Sequence, residues 1–478
     1  MVIFRIGTLP WRFENIVWYC GLETDTTILN HDGTKVVRKQ LIFLSVEGAF
    51  ATVFITITGG AFLTGLALLF GANDFHIGLL AAIPFLAQSA QIVSAYLSDR
   101  TGRRKRMAVW SSAVARQSWW LMIPVIFFAG DWRLEAMIFI VIISNIATML
   151  ATAGWLSWIS DLVPEKIRGR YLGNRSAAVG ISTMAATILG GIILDEFRAV
   201  GHENSGFSVI IAGGCFFALA AVILLNRLPD KPPDTIKSPV NWSYFLIPLK
   251  DKNFTYLLKI FCFWNFALGI SGSFFAPHML INLKMSFTLI SIYSSVAALA
   301  SILLNKPWGI LIDRFGSKQV AFFCSLGIAV VPTLWLFPRP GHLWVLAFEA
   351  VYSGALWAGF NLAAFNIPIA NSPRQGRTMY LAMFSVVTGM AYFVSSLLGG
   401  ILAESWSNIH WPIMGQIIVN YHILFAISAI LRLAAAFLIM TFHEPKEKGF
   451  PVMIQFMGYS ILKWLSIGRQ ILPGNRKE

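Results

Sequence analysis

Leu97-Ser98-Asp99-Arg100-Thr101-Gly102-Arg103-Arg104-Lys105 closes one long apolar run, and Gly309-Ile310-Leu311-Ile312-Asp313-Arg314-Phe315-Gly316-Ser317-Lys318 closes another. Both stretches have the form L-x-D-R-x-G-x-(R/K), with their aspartates 214 residues apart. Further echoes keep the same order. Ala153-Gly154 before Arg168-Gly169-Arg170 corresponds to Ala358-Gly359 before Gly376-Arg377, and Leu189-Gly190-Gly191-Ile192 to Leu398-Gly399-Gly400-Ile401. Their offsets are 205, 207 and 209 residues, so the register drifts only by small insertions. Collinear matches of this kind imply a duplicated unit.

What is duplicated follows from the flanking sequence. The chain is 56% hydrophobic and only 13% charged, with mean hydropathy +0.66, whereas soluble domains are about 25% charged. Twelve apolar runs are long enough for a hydrocarbon core, which takes roughly twenty helical residues: about 41–70, 77–98, 107–129, 136–160, 176–195, 207–226, 254–281, 286–311, 319–337, 343–370, 379–403 and 416–441. Runs this long without alternation satisfy their backbone only as helices. The expected fold is an all-α integral membrane protein with twelve transmembrane helices in two pseudo-symmetric six-helix bundles. Its segments are 1–40, a bundle at 41–226, a Pro-rich connector at 227–253, a second bundle at 254–441, and a tail at 442–478. An interfacial helix is expected around Trp11 to Trp18, and the tail from Phe450 to Ile467 reads either as a segment lying on the inner leaflet or as unstructured chain.

Charge sets the orientation. The two terminal segments and alternate loops hold 29 Lys and Arg, while the other five loops hold Arg133, Arg198, Lys284 and Arg339. This asymmetry places both termini in the cytoplasm of a cell (inner or plasma) membrane. It also explains the net charge of +14 as topology rather than a nucleic-acid footprint. No cleavable signal peptide is expected, because Arg12, Glu14, Glu23, Asp25, His31 and Asp32 interrupt the early apolar runs. Cys20, Cys215, Cys262 and Cys324 lack metal-ligand spacing and read as small hydrophobes.

The repeated loop is similar to that of the major facilitator superfamily, G-x-L-x-D-R-x-G-x-(R/K), and the second copy here is the fuller one, since Ala95 replaces the first glycine of the earlier copy. The resemblance covers about residues 41–442. It implies two bundles around a central cavity, a site near the bilayer midplane and alternating access. It also implies a cytoplasmic gate built from Asp99, Arg100, Gly102, Arg103, Arg104, Asp161, Arg168, Arg170, Asp313, Arg314, Gly316, Lys318 and Arg377. A purely topological role for these loop charges is the competing reading.

Ionisable groups within a span cost roughly 2.5–3.5 kcal/mol on insertion scales and are candidate functional groups by default. Glu47, Arg116, Glu349 and Arg432 stand out, with the polar Gln117, Asn145, Asn265 and Asn361 as companions. In one reading an arginine holds an anionic solute group while a glutamate carries a proton. In the other, each acid pairs within its own half and fastens helices. His278 and His422 read as hydrogen-bonded core residues.

Span five lacks the Gly-Pro element of drug–proton antiporters, and the connector lacks the P-E-S-P-R element of sugar porters. Glu444-Pro445-Lys446 is a short match to the sugar porters' terminal motif, so the substrate class stays open. No phosphate-binding loop, H-E-x-x-H or G-x-S-x-G element is present. The expectation is a non-enzymatic, monomeric secondary transporter of a small solute. Its partners would be that solute, a proton or another coupling ion, and membrane lipids, with no cofactor, metal or nucleic acid. A lipid flippase or a transporter-like sensor on the same scaffold is the alternative, with a membrane-embedded lipid-modifying enzyme behind it. A cavity enclosed between helices one, four, seven and ten would favour the small solute, and one open sideways to lipid would favour the flippase.

Overall fold

The computed structural model describes residues 31–163, 167–230, 247–373, 377–413, 416–442, 444 and 449–459. The helix expected around Trp11 to Trp18, most of the connector and the tail beyond Tyr459 lie outside the described residues. So do the side chains of Asp99, Arg100, Asp161, Arg168 and Arg170.

Among the described residues, eleven helices are long and apolar enough to cross a membrane. They are Lys39–Leu69, Asp74–Ser94, Gly130–Thr152, Tyr171–Ala199, Glu203–Asn226, Lys252–Asn282, Phe287–Phe315, Ser317–Leu334, Trp344–Ala370, Met379–Ser405 and Asn420–Ile439. These are spans one, two and four to twelve. The third is present in pieces, as helices Arg104–Gln117 and Met122–Phe128 joined by a 3-10 turn at Ser118–Leu121. Pro124 has no N–H for the residue four back, which loosens the ladder at that joint. The basic cluster at its start lowers the apolarity of the first piece.

Spans one and seven are interrupted in matching places. Span one runs as helix His31–Ile57 and resumes as Gly60–Leu69. Span seven runs as Lys252–Gly272, then Phe275–Pro277 and a π turn at His278–Asn282. The joints Thr58-Gly59 and Ser273-Phe274 lie 215 residues apart, within one of the offset between the loop aspartates. Gly60 has φ +54°, a conformation that costs a residue without Cβ little.

The two halves meet along two seams, span two against eleven and span five against eight. The Leu-Gly-Gly-Ile repeats lie at these seams. A Cβ at Gly190 would come within 2.8 Å of Ile57 in span one, and one at Gly399 within 2.5 Å of the Ile270 carbonyl in span seven. The second glycine of each pair faces the other half. A Cβ at Gly191 would meet Ser291 Oγ at 2.6 Å and Phe287 O at 2.8 Å in span eight, and one at Gly400 would meet Phe75 Cα at 3.1 Å in span two. Bare backbone at these points lets the helices approach closely. Each Gly-Gly pair thus holds span five or eleven between its own bundle and the opposite one.

Candidate functional site

A cavity of about 460 Å³ lies between spans one, two, three, four and seven, within the size range of small-molecule sites. Phe54, Trp119 and Leu80 supply apolar wall. Thr58, Thr64, Ser144, Asn145, Thr148 and Ser273 supply the polar groups, and among the described residues no charged side chain lines it. An enclosure by spans one, four, seven and ten is therefore only partly met; span ten lines a separate, smaller cavity.

The hydroxyls of the main cavity are spent as donors. Thr58, Thr64 and Thr148 donate to the carbonyls of Phe54, Gly60 and Ser144, at 2.8, 3.1 and 2.8 Å. Ser144 donates to Ala115 O at 2.7 Å and accepts from Trp119 Nε1 at 3.1 Å. Asn145 Nδ2 donates to Val141 O at 2.8 Å. A hydroxyl has one donor hydrogen and two acceptor lone pairs. With the hydrogens turned to the backbone, the wall offers mainly acceptors.

Of the other residues expected at a site, the structure separates two groups. In the N-terminal half, buried Glu47 accepts from Arg116 Nη2 at 3.2 Å, and Arg175 Nη2 stands 3.8 Å from its other oxygen. Arg175 also stacks over Trp155, 5.1 Å from the ring centroid. Gly48 makes room for it, since a Cβ there would sit 2.6 Å from Arg175 Nη2. These spans one, three and five are thus tied by one carboxylate and two guanidiniums. Gln117 accepts from Trp120 Nε1 at 2.8 Å, Asn265 bonds back to Phe261 O at 2.8 Å, and Asn361 is exposed. None of Glu47, Arg116, Gln117, Asn265 and Asn361 lines either cavity described here.

In the C-terminal half, Glu349 and Arg432 face a niche of about 290 Å³ with Tyr293, Trp335, Ser353 and Tyr392. Tyr293 donates to Glu349 Oε2 at 2.5 Å. Arg432 donates to Ser271 Oγ at 3.0 Å. The niche shares Gly272 with the main cavity.

One face of the molecule is clasped shut between the halves. Asp195, near the end of span five, accepts from the backbone N–H groups of Phe287 and Thr288 at 2.9 and 2.8 Å, where span eight begins. Asp74, at the start of span two, accepts from Tyr421 Oη and Asn420 Nδ2 at 2.5 and 2.7 Å, while its own N–H donates to Glu404 at 3.0 Å. Ser396 Oγ donates to Gly78 O at 2.8 Å. Contact continues to mid-depth, where Phe85 stacks on Tyr392 at 3.8 Å and Gly180 lies beside Ile302.

At the opposite face, Gly102 and Gly316 turn the chain with φ +63° and +96°. Arg103, Asp313 and Arg314 are exposed, and Arg104 and Arg377 half-buried. Arg314 lies over Phe456, 4.1 Å from the centroid, on the helical stretch at 450–459. Lys318 is buried with its Nζ over Phe442. Glu444, the acid of the short terminal motif, accepts from the Ser317 and Lys318 N–H groups at 3.2 and 2.8 Å and so caps span nine.

Sequence reasoning missed Arg175, which counts as a loop cation when span five is begun at 176. It also missed the two aspartate clasps and the hydroxyl wall. Asp195 and Asp74 sit at helix ends, where acids are ordinary, and Thr and Ser within a span carry no distinguishing pattern.

A family model described as Major Facilitator Superfamily matches residues 48–279 and 266–470. The minor myo-inositol transporter IolF of Bacillus subtilis is 25% identical over 335 residues, covering 66% of this chain and 65% of that protein. The multi-drug resistance efflux pump PmrA of Streptococcus pneumoniae is 27% identical over 154 residues, 31% of this chain and 38% of that one. The chain thus spans less than two thirds of the length of either relative. Solved structures of the nucleoside transporter NupG and of the E. coli xylose transporter XylE in its inward open conformation superpose with TM-scores of 0.62 and 0.63. They are 16% and 15% identical, cover 86% and 88% of this chain, and match over 100% and 99% of their own. At that identity they establish the fold alone.

Proposed function

Because the chain belongs to the Major Facilitator Superfamily, we propose that it is a secondary transporter moving a small, neutral, hydroxyl-rich solute, a polyol or monosaccharide, by alternating access. Both termini face the cytoplasm of a cell membrane in this reading, as the Lys and Arg distribution favours. The face clasped by Asp195 and Asp74 is then external, and the conformation is closed to the outside. No catalytic chemistry is assigned to the chain.

The observation that carries the solute class is the acceptor-rich, uncharged wall of the main cavity. A polyol brings many O–H donors and no charge, and each donor left unpaired in a buried site costs about 1–3 kcal/mol. A cationic drug would lack a counter-charge on this wall, and a phosphorylated sugar would lack a cation. The relation to an inositol transporter supports the same class. A lipid flippase would call for a cavity open sideways along the membrane, and the helix-lined site of about 460 Å³ fits a small solute better.

Uptake of labelled myo-inositol, xylose and uridine by proteoliposomes tests the reading. Replacing Asn145 by Ala and Thr148 by Val removes two acceptors. With about 1 kcal/mol per hydrogen bond, the half-saturating concentration of the preferred solute should rise about tenfold or more with unchanged protein yield. Unaltered half-saturation would remove these residues from the site. Transport of lipophilic cations without any of the three hydroxylated solutes would refute the solute class.

A further inference from the structure

The charged cluster of the N-terminal half does not balance. One carboxylate, Glu47, lies between two guanidiniums, those of Arg116 and Arg175. Among the described residues neither arginine has a second acid within 4 Å. One positive charge is therefore left over, between spans one, three and five. A charge held among apolar helices without a counter-charge is costly.

The hydrogen bonding of the cluster is incomplete in the same sense. Arg116 places Nη2 on Glu47 Oε1 at 3.2 Å, while its Nη1 is buried without a partner. Arg175 Nη2 stands 3.8 Å from Glu47 Oε2, too far for a hydrogen bond. Its Nε is also buried without a partner. A guanidinium has donors and no acceptor, so only an added acceptor completes either group. The neutral neighbours do not supply one: Trp155 presents its ring face to Arg175 at 5.1 Å, and Gly48 has no side chain. The side chains of Arg116 and Arg175 are 14% and 21% exposed, against 2% for Glu47. The cations are thus the part of the cluster that a solution ion can reach.

We propose that this cluster is a binding site for one compact inorganic anion of the chloride or phosphate kind, which takes up the unbalanced charge and fastens spans one, three and five. The donors left for it are Arg116 Nη1 and Arg175 Nε. Charge-assisted bonds to an anion are stronger than neutral ones, and the anion finds both guanidiniums together only in the packed bundle. Binding to the packed state alone raises its stability by mass action. None of the three residues lines the main cavity, so the site is separate from the solute's and does not depend on the transport reading. In the orientation proposed above, Glu47 and Arg175 lie near the inner ends of spans one and five, which makes the cytoplasm the source of the anion.

Melting curves of the purified full chain in neutral detergent test this, with potassium chloride or phosphate exchanged for gluconate at constant ionic strength. Chloride or phosphate should raise the wild-type melting temperature saturably, by about 2 °C over gluconate. Arg175→Gln leaves the neutral pair of Glu47 and Arg116 and should lose the difference. Arg175→Lys keeps the charge and should keep it, as should Arg198→Gln, which alters an exposed arginine paired with Glu203. Glu47→Gln leaves two arginines unopposed and should show a larger difference than the wild type. Each comparison is made between salts within one protein, so a variant that folds less stably still reports. A wild type indifferent to both anions overturns the proposal, as does a difference that survives undiminished in Arg175→Gln. Stabilisation by vesicles of anionic phospholipid but by neither inorganic anion would also overturn it, assigning the charge to a lipid headgroup.

Discussion

Asp195 offers the most direct handle on the alternating access proposed above. Its two carboxylate oxygens receive adjacent backbone N–H groups at the start of span eight, on the opposite bundle. Those N–H groups belong to the first turn of a 29-residue helix and have no partner within it. The helix dipole adds to the attraction for a negative charge there. Capping side chains of this kind contribute about 0.5–2 kcal/mol, and charge-assisted bonds about 1.5–3 kcal/mol each. Asp195 is half-buried, so water competes and the lower part of those ranges applies. Asp195→Ala should therefore weaken the clasped face by about 2 kcal/mol, a shift of roughly thirtyfold in the ratio of closed to open states. Spin labels on cysteines at Asp131 and Ser407, exposed residues at the start of span four and just after span eleven, would read it in a background without the native cysteines. Electron–electron distances should lengthen in Asp195→Ala and not in Glu196→Ala, whose exposed side chain is the next along the helix. An unchanged distribution in Asp195→Ala would show that the clasp does not hold the face shut.

Two further outcomes follow from the packing. Glu47→Gln leaves Arg116 and Arg175 unopposed, so it should cost about 3–5 kcal/mol and lower the melting temperature in detergent; a melting curve like the wild type's would mean the triad is not a fastener. Gly191→Val places branched carbons where even a Cβ would stand only 2.6 Å from Ser291 Oγ and 2.8 Å from the Phe287 carbonyl oxygen. It should hold the clasped face open and abolish solute transport while the protein still reaches the membrane, and normal transport would refute the close seam between spans five and eight.

Much of the site was not legible because of what a sequence can mark. The charges at Glu47, Arg116, Glu349 and Arg432 stand out against apolar runs, since each costs free energy in lipid. Their partners do not, because partnership is a matter of which helix face meets which. Glu47 and Arg116 are 69 residues apart and meet through the crossing of spans one and three; Glu349 and Arg432 share a niche without bonding. Cavity residues such as Thr58 and Thr148 look like any hydroxyl that bonds back to the preceding turn, and only the surrounding void gives them a role.

The internal repeat shows the same division. The sequence by itself determined the membrane setting, the helix count and the duplication, because apolar length and collinear motifs are properties of the chain alone. It also placed Gly190-Gly191 and Gly399-Gly400 in corresponding positions. Only the tertiary structure decided what these pairs do, since the first glycine admits its own bundle and the second admits the opposite one. It likewise turned Asp195 and Asp74 from ordinary helix-end acids into clasps between halves. Close approach and charge pairing across a seam depend on ångström-scale distances between segments far apart in the chain, and linear order does not record them.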